Sequence, residues 1–205
     1  MIRLEKSDTD IWTITLDRPE KANSLTPQML EELVEITHDA QKARGVILTG
    51  AGKVFSAGAD LDAAKAGLAT SDVWERLSGN IAQLDCLTIA ALNGTLAGGA
   101  MGMALACDIR LSVPTAKFFY PVMKLGFLPQ PSDPIRMAQL IGPSRSKMIL
   151  MAGQKIDAQT AYSYGLIDRI VDGDELLTLA ADLMHDSSCA TLDHARAIKG
   201  MIDQR

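Results

Sequence analysis

Apolar and polar residues alternate from Ile2 to Lys6 and again from Ile11 to Leu16, on either side of Ser7-Asp8-Thr9-Asp10, which predicts an antiparallel hairpin. The period then changes. Thr26-Pro27 reads as a helix start, with Thr26 as N-cap and Pro27 in the first helical position. Leu30, Leu33, Val34 and Thr37 form the inward stripe of that helix, widened by Met29, Ile36 and Ala40. Gly45–Gly50 is a short apolar run bounded by glycines, the pattern of a strand covered on both faces, and a glycine-rich loop follows it. Residues 71–84 predict a helix, Leu87–Leu92 a second buried strand, 98–106 a buried helix and 109–113 a third strand. Strand, loop and helix recur in order, so the predicted class is α/β.

Past Lys117 the pattern becomes irregular, because Pro121, Pro129, Pro131 and Pro134 interrupt any long element. Residues 144–152 predict a helix ended by Gly153, and Asp157 caps another through Tyr164. Residues 166–171 are strand-like. Residues 174–186 carry Leu176, Leu179, Ala180 and Leu183 inward on a helix, and polar residues 185–205 predict a last exposed or partner-facing one. No repeat, low-complexity tract or linker divides the chain.

The 205 residues are enough to bury a sizeable core without disulfides. Cys86, Cys107 and Cys189 are odd in number, widely spaced and free of any CxxC pattern, so they read as reduced packing residues of a cytoplasmic protein. A net charge of −5 without a basic run, together with 4% aromatics, removes the footprint of a nucleic-acid binder and favours a small-molecule partner. The N-terminus has no apolar core of a secretory signal. The uncharged run between Asp85 and Asp108, with Gly98-xxx-Gly102 inside it, raises a membrane reading; the Asn93-Gly94 turn cuts it into a strand and a helix, each too short to span.

Gly50-Ala51-Gly52-Lys53 after a strand resembles a phosphate loop only superficially, since Val54 replaces the Ser/Thr and Ile47 the first glycine. Lys53 can still meet one ligand phosphate at the loop edge. His38, His185 and His194 lie in predicted helices and share no metal-ligand spacing with one another, with cysteine or with carboxylates, and nothing supports a triad through Ser56. Two segments are more informative. Small residues around Gly58, from Phe55 to Leu61, and the Gly98-Gly99 pair let backbone amides approach a ligand. Two such amides converging on a carbonyl oxygen make an oxyanion hole, and the second sits at a helix N-terminus; close backbone packing is the other reading of the same glycines.

Taken together these motifs resemble the crotonase superfamily, the enoyl-CoA hydratases and isomerases. The matching residues are Leu-Asp-Arg-Pro at 16–19, Ala-Asn-Ser-Leu at 22–25, Val-Ile-Leu-Thr-Gly at 46–50, Phe-Ser-Ala-Gly-Ala-Asp at 55–60, Ile-Ala-Ala-Leu-Asn-Gly at 89–94, Gly98-Gly99 and Ala-Cys-Asp at 106–108. Farther on, Ile-Asp-Ala at 156–158, Ala161, Gly-Leu-Ile-Asp at 165–168 and Val171 extend the match from residue 2 to about 171. The resemblance implies a ClpP/crotonase-like spiral of ββα units over 1–140 and a helical C-terminal region over 141–205, for trimerisation and pocket cover. That region is shorter than in longer relatives, so part of the acyl pocket is expected open or completed by a neighbour. It implies an acyl-CoA or related acyl thioester as ligand, no cofactor beyond coenzyme A as part of the substrate, a homotrimer or dimer of trimers, and a place in fatty acid metabolism. By family position Ala59 and Gly99 supply two backbone N–H groups to the thioester oxygen. Ala22 and Lys53 lie where coenzyme A is held, with Ala57, Asp60, Leu61 and Gly98 bordering the same ligand. Proton transfer beside the thioester then makes an enolate whose oxygen needs fixed donors, each worth about 2.7 to 4 kcal/mol.

The departures are specific. Hydratases of the family place one glutamate on the Gly-Gly helix and a second after the Phe-x-x-Pro segment, where this chain has Gly102 and Val122; many isomerases use an acid where it has Gln130. Asp62 stands where hydratases often carry a lysine. Asp133 is the nearest carboxylate to the vacated region, although Ser132-Asp133-Pro134 reads first as a helix start with Asp133 capping it. Tyr120 is the other candidate acid, its alternative being a buried ring with its hydroxyl on the backbone. The expected activity is enolate chemistry on a thioester by a route other than standard hydration: isomerisation, decarboxylation or hydrolysis. The alternative is a non-catalytic acyl-thioester-binding or assembly subunit.

Overall fold

The computed structural model describes residues 1–203. β1 (Ile2–Lys6) and β2 (Ile11–Leu16) form the expected antiparallel hairpin, Ile2 facing Leu16 and Lys6 facing Trp12. Alternation along β2 turns Trp12, Ile14 and Leu16 inward, where all three are buried. α1 (Pro27–Asp39) starts as predicted, with the Met29 N–H donating to Thr26 Oγ1 at 3.2 Å. Its buried face is Met29, Leu30, Leu33 and Thr37, and the Thr37 hydroxyl donates to the Leu33 carbonyl, so burial leaves that polar atom satisfied.

From Gly45 onward the chain lays down strands in pairs. β3 (Gly45–Gly50) runs directly into β4 (Val54–Ser56), β5 (Leu87–Leu92) into β6 (Thr95–Ala97), and β7 (Ile109–Ser112) into β8 (Lys117–Phe119). Helices return the chain after each pair, as parallel neighbours require. These are α2 (Leu61–Lys65) and α3 (Val73–Ala82), then α4 (Met101–Ala106), then α5 (Val122–Leu125) and α6 (Asp133–Leu150). With β9 (Ile156–Asp157) and β10 (Arg169–Ile170), the first strands form a six-stranded sheet in the order β1-β2-β3-β5-β7-β10, and the second strands form β4-β6-β8-β9. This is the ββα spiral that the resemblance implies. α7 (Ala158–Tyr164) follows, capped by Asp157, which accepts from the Thr160 N–H at 2.9 Å. The uncharged run that raised a membrane reading is shared among β5, β6 and α4, and no described helix is long and apolar enough to cross a membrane.

Some expectations change. α6 begins at the Ser132-Asp133-Pro134 start, with Pro134 in its first turn, and runs on into the helix expected over 144–152 across a bend at Gly142 (φ 80°) followed by Pro143. α8 (Leu176–Cys189) buries Met184 in place of Leu183, which is 38% exposed. Cys86 and Cys107 are buried free thiols, but Cys189 is exposed and packs no core. α9 (Leu192–Asp203) buries no residue and is tied down by Lys199 Nζ, 2.7 Å from Asp108 Oδ2, and by Arg196, 2.6 Å from Asp85 Oδ2. Gln204 and Arg205, the end of the predicted last helix, lie outside the described residues.

Candidate functional site

The glycine loops are fixed from below by buried side chains. Asn23 is 0% exposed and left-handed (φ 51°); its Nδ2 donates to the carbonyls of Ala51 (2.9 Å) and Val54 (2.7 Å), and its Oδ1 accepts from the Arg18 N–H (2.8 Å). Ser56 Oγ donates to the Asn23 carbonyl and accepts from the Gly58 N–H. The Ala57 N–H donates to the Ala22 carbonyl at 3.0 Å. Arg18 Nη1 reaches Asp60 Oδ2 at 2.8 Å and the Ser24 carbonyl at 3.0 Å. Three separate loops are thereby held as one unit. Sequence reasoning gave none of Arg18, Asn23 or Ser56 a role; a polar residue inside a small-residue loop was the available signal.

Within this unit Ala59 occupies a distinct position. The Leu25 N–H donates to the Gly58 carbonyl and the Asp60 N–H to the Leu25 carbonyl, while the intervening Ala59 N–H has no acceptor among the described residues. The parallel pairing of β4 with β6 brings this loop against the Gly-Gly turn. A side chain at Gly58 (φ 91°) would sit 2.9 Å from the Ala97 carbonyl and 3.4 Å from the Gly98 Cα, so only glycine permits the approach. Gly98–Ala100 form a 3₁₀ turn leading into α4, and the first N–H groups of such a turn have no intrahelical acceptor. The Trp74 ring packs against Gly99 on its other side.

The residues expected beside coenzyme A divide into two groups. Ala22, Lys53, Ala57 and Leu61 lie on the outer side of these loops, with Lys53 and Ala57 exposed and Leu61 78% exposed. Asp60 is committed to structure: Arg18 holds its carboxyl below the usual carboxylate range, and it caps α2 through the Asp62 and Ala63 N–H groups.

Asp133 is not the cap that the sequence predicted. Ser132 takes the N-cap position of α6, and both its N–H and hydroxyl donate to Glu75 on α3. The Asp133 side chain is 0% exposed and turns toward α4. A Cβ placed on Gly102 would lie 2.7 Å from Asp133 Oδ1, so the carboxylate occupies the space that the missing side chain leaves. Tyr120 Oη donates to Asp133 Oδ2 at 3.0 Å and is also bonded by the Gln130 backbone, whereas Asp133 Oδ1 has no partner. Burial pushes the Asp133 carboxyl up to about 7, against the lowering effects of the Tyr120 bond and of Arg136 and with a further push from Glu75. Burial and the adjacent carboxylate likewise raise the Tyr120 phenol far above its ordinary value. Val122 and Gln130 are buried and neutral, and Gln130 Nε2 donates to the Ala69 carbonyl.

A cavity of about 1250 Å³ lies elsewhere, between α9 and the C-terminal end of α4. Four of its charged lining residues, Lys199, Asp108, Arg110 and Asp85, are engaged in ion pairs; Arg136, Asp186 and Asp203 line it as well. Among the described residues no group of three or more His, Cys, Asp or Glu side chains is arranged to hold a metal ion.

A spiral of paired strands with two adjoining glycine loops, one opening a buried helix, defines the crotonase fold. The chain belongs to the enoyl-CoA hydratase/isomerase family, whose profile matches residues 6–205. It is 33% identical over 194 residues to the short-chain-enoyl-CoA hydratase of Clostridium acetobutylicum, covering 88% of this chain and 72% of that protein. It is 36% identical over 181 residues to the carnitinyl-CoA dehydratase of Citrobacter koseri, covering 84% and 69%. The crystal structure of enoyl-CoA hydratase from Bacillus anthracis superposes with a TM-score of 0.89 at 31% identity, over 98% of this chain and 82% of that one.

Proposed function

We propose that the protein binds an acyl-CoA or related acyl thioester with the thioester oxygen on the Ala59 and Gly99 amides, and that these amides stabilise the enolate formed when a proton leaves the adjacent carbon. The observation that carries the reading is the unpaired Ala59 N–H, between residues whose N–H groups (Ala57, Gly58 and Asp60) are all hydrogen-bonded, in a loop pressed against the Gly98-Gly99 turn. Fixed donors of this kind favour the charge that develops on oxygen during reaction. The names of the Clostridium and Citrobacter relatives, both acting on coenzyme A thioesters, agree with the ligand class. Ala22, Lys53, Ala57 and Leu61 border the coenzyme A portion, and the working assembly is a trimer or a pair of trimers. Standard two-glutamate hydration is disfavoured, because Gly102 and Val122 carry no acid; isomerisation and decarboxylation pass through one enolate, and thioester hydrolysis through a tetrahedral oxyanion that the same two amides would hold.

The test is calorimetric titration of a short acyl-CoA panel with wild type and Gly99→Pro, alongside assays for hydration, double-bond migration and thiol release. Proline suits the start of a helix but removes the donor. Wild type is expected to bind, and Gly99→Pro to lose about 10²-fold or more in turnover. Failure of wild type to bind any thioester sinks the reading, and binding without turnover favours the subunit alternative.

A further inference from the structure

Resting on that reading, we infer that Asp133 is the general acid/base of the site, delivered by α6 into the space left by Gly102 on α4, with Tyr120 as its positioning residue. A glutamate carried by α4 and a carboxylate lying on Gly102 reach the same region from opposite sides. The glycine and the aspartate are therefore two halves of one arrangement. With any larger residue at 102, a Cβ 2.7 Å from Oδ1 would force the carboxylate away; with no carboxylate at 133, Gly102 would leave a void inside a helix.

The location suits the chemistry. Gly99 and Gly102 are three residues apart at the start of one helix and share a face, roughly 5–6 Å apart. A thioester oxygen held by the Gly99 amide has its α-carbon two bonds away, within that interval. Of the two carboxylate oxygens, Oδ2 is engaged by Tyr120 and Oδ1 is buried without a partner. A buried acceptor left unpaired costs about 1–3 kcal/mol, and a proton donor or acceptor supplied by the ligand relieves that cost. Tyr120 itself is held by the Gln130 backbone and is 5% exposed, so it fixes Oδ2 and leaves Oδ1 as the single reactive atom. Glu75 clamps Ser132 and sets where α6 begins.

In the step itself an Oδ1 lone pair takes the α-proton. The C–H electron pair becomes the enolate C=C bond, and the carbonyl π pair moves onto the thioester oxygen between the Ala59 and Gly99 amides. Return of the proton from Oδ1 to carbon restores the carboxylate; nothing is oxidised or reduced. The charged and titratable groups facing Asp133 are Tyr120, Arg136 on its own helix and Glu75 on α3, while α4 presents none.

The experiment follows exchange of the α-protons of butyryl-CoA in D₂O by NMR between pH 5 and 9, with binding measured in parallel. Wild type is expected to bind and to exchange with a rate that rises with pH to a midpoint near 7, as the carboxylate forms. Asp133→Asn should bind within about threefold of wild type and exchange 10² to 10⁴ times more slowly. Tyr120→Phe should move the midpoint to higher pH, because the phenol no longer favours the ionised carboxyl; a merely structural phenol would lower the rate at all pH values and leave the midpoint in place. Gly102→Glu combined with Asp133→Gly, which returns a carboxylate from the α4 side, should recover part of the exchange and guards against a variant that simply misfolds. Wild type that binds without exchanging, or Asp133→Asn that exchanges at the wild-type rate, overturns this inference alone. Absence of binding by wild type overturns the ligand reading beneath it.

Discussion

Asn23 and Asp133 are both fully buried, yet their surroundings treat them differently. Both Nδ2 protons and the Oδ1 of Asn23 are used, and they hold the loop below Ala59. Asn23→Ala strips partners from two carbonyls and puts alanine at φ 51°, so a loss of roughly 2–4 kcal/mol is expected in urea unfolding. Acyl-CoA binding should weaken with it. Asp133 instead carries a folded-state pKa of about 7 against an ordinary 3.8. The native state therefore holds the proton more tightly than the unfolded chain, and this contribution, full below about pH 4, is lost as pH rises through 7. Relative to wild type, Asp133→Asn should gain stability between pH 4 and 8, by up to roughly 4 kcal/mol. Unfolding curves across that range check it; a constant difference would contradict the raised pKa.

At the scale of elements, the strands of the larger sheet were legible because β2, β3 and β5 are long enough to show alternation or a continuous apolar run. β4, β6 and β8 have three residues each, too few for a period, and β4 was hidden in what reads as a glycine loop. The close approach of the Gly58 and Gly98-Gly99 segments was legible from their small residues, while the roles proposed for Ala59 and Gly99 come from the family resemblance. The placing of Asp133 against Gly102 was not, since Ser132-Asp133-Pro134 satisfies local rules for a helix start and nothing local says that the side chain turns toward α4. That contact makes a prediction about α4. Alanine normally gains about 1 kcal/mol over glycine inside a helix. Gly102→Ala should nevertheless destabilise the protein while Asp133 is present and stabilise it in an Asp133→Gly background. A double-mutant cycle on unfolding measures the reversal; additivity would deny the contact.

Across the whole molecule, the spiral places the two glycine loops at the start of α4 and a cavity of about 1250 Å³ at the other end of that helix. α9 is held over the cavity by ion pairs, with Leu192 at its start packed against the core. Lys199→Met should therefore raise amide exchange across residues 192–203, by hydrogen-exchange mass spectrometry, with little change in the six-stranded sheet. The proposed function seats the acyl thioester at the start of α4 and not in this cavity. The decisive measurement is a crystal structure of the protein with butyryl-CoA bound. The thioester oxygen should lie about 2.7–3.1 Å from both the Ala59 and Gly99 nitrogens, with the α-carbon facing Asp133 Oδ1; a thioester seated beneath α9, or one whose oxygen meets neither amide, would contradict the proposed site.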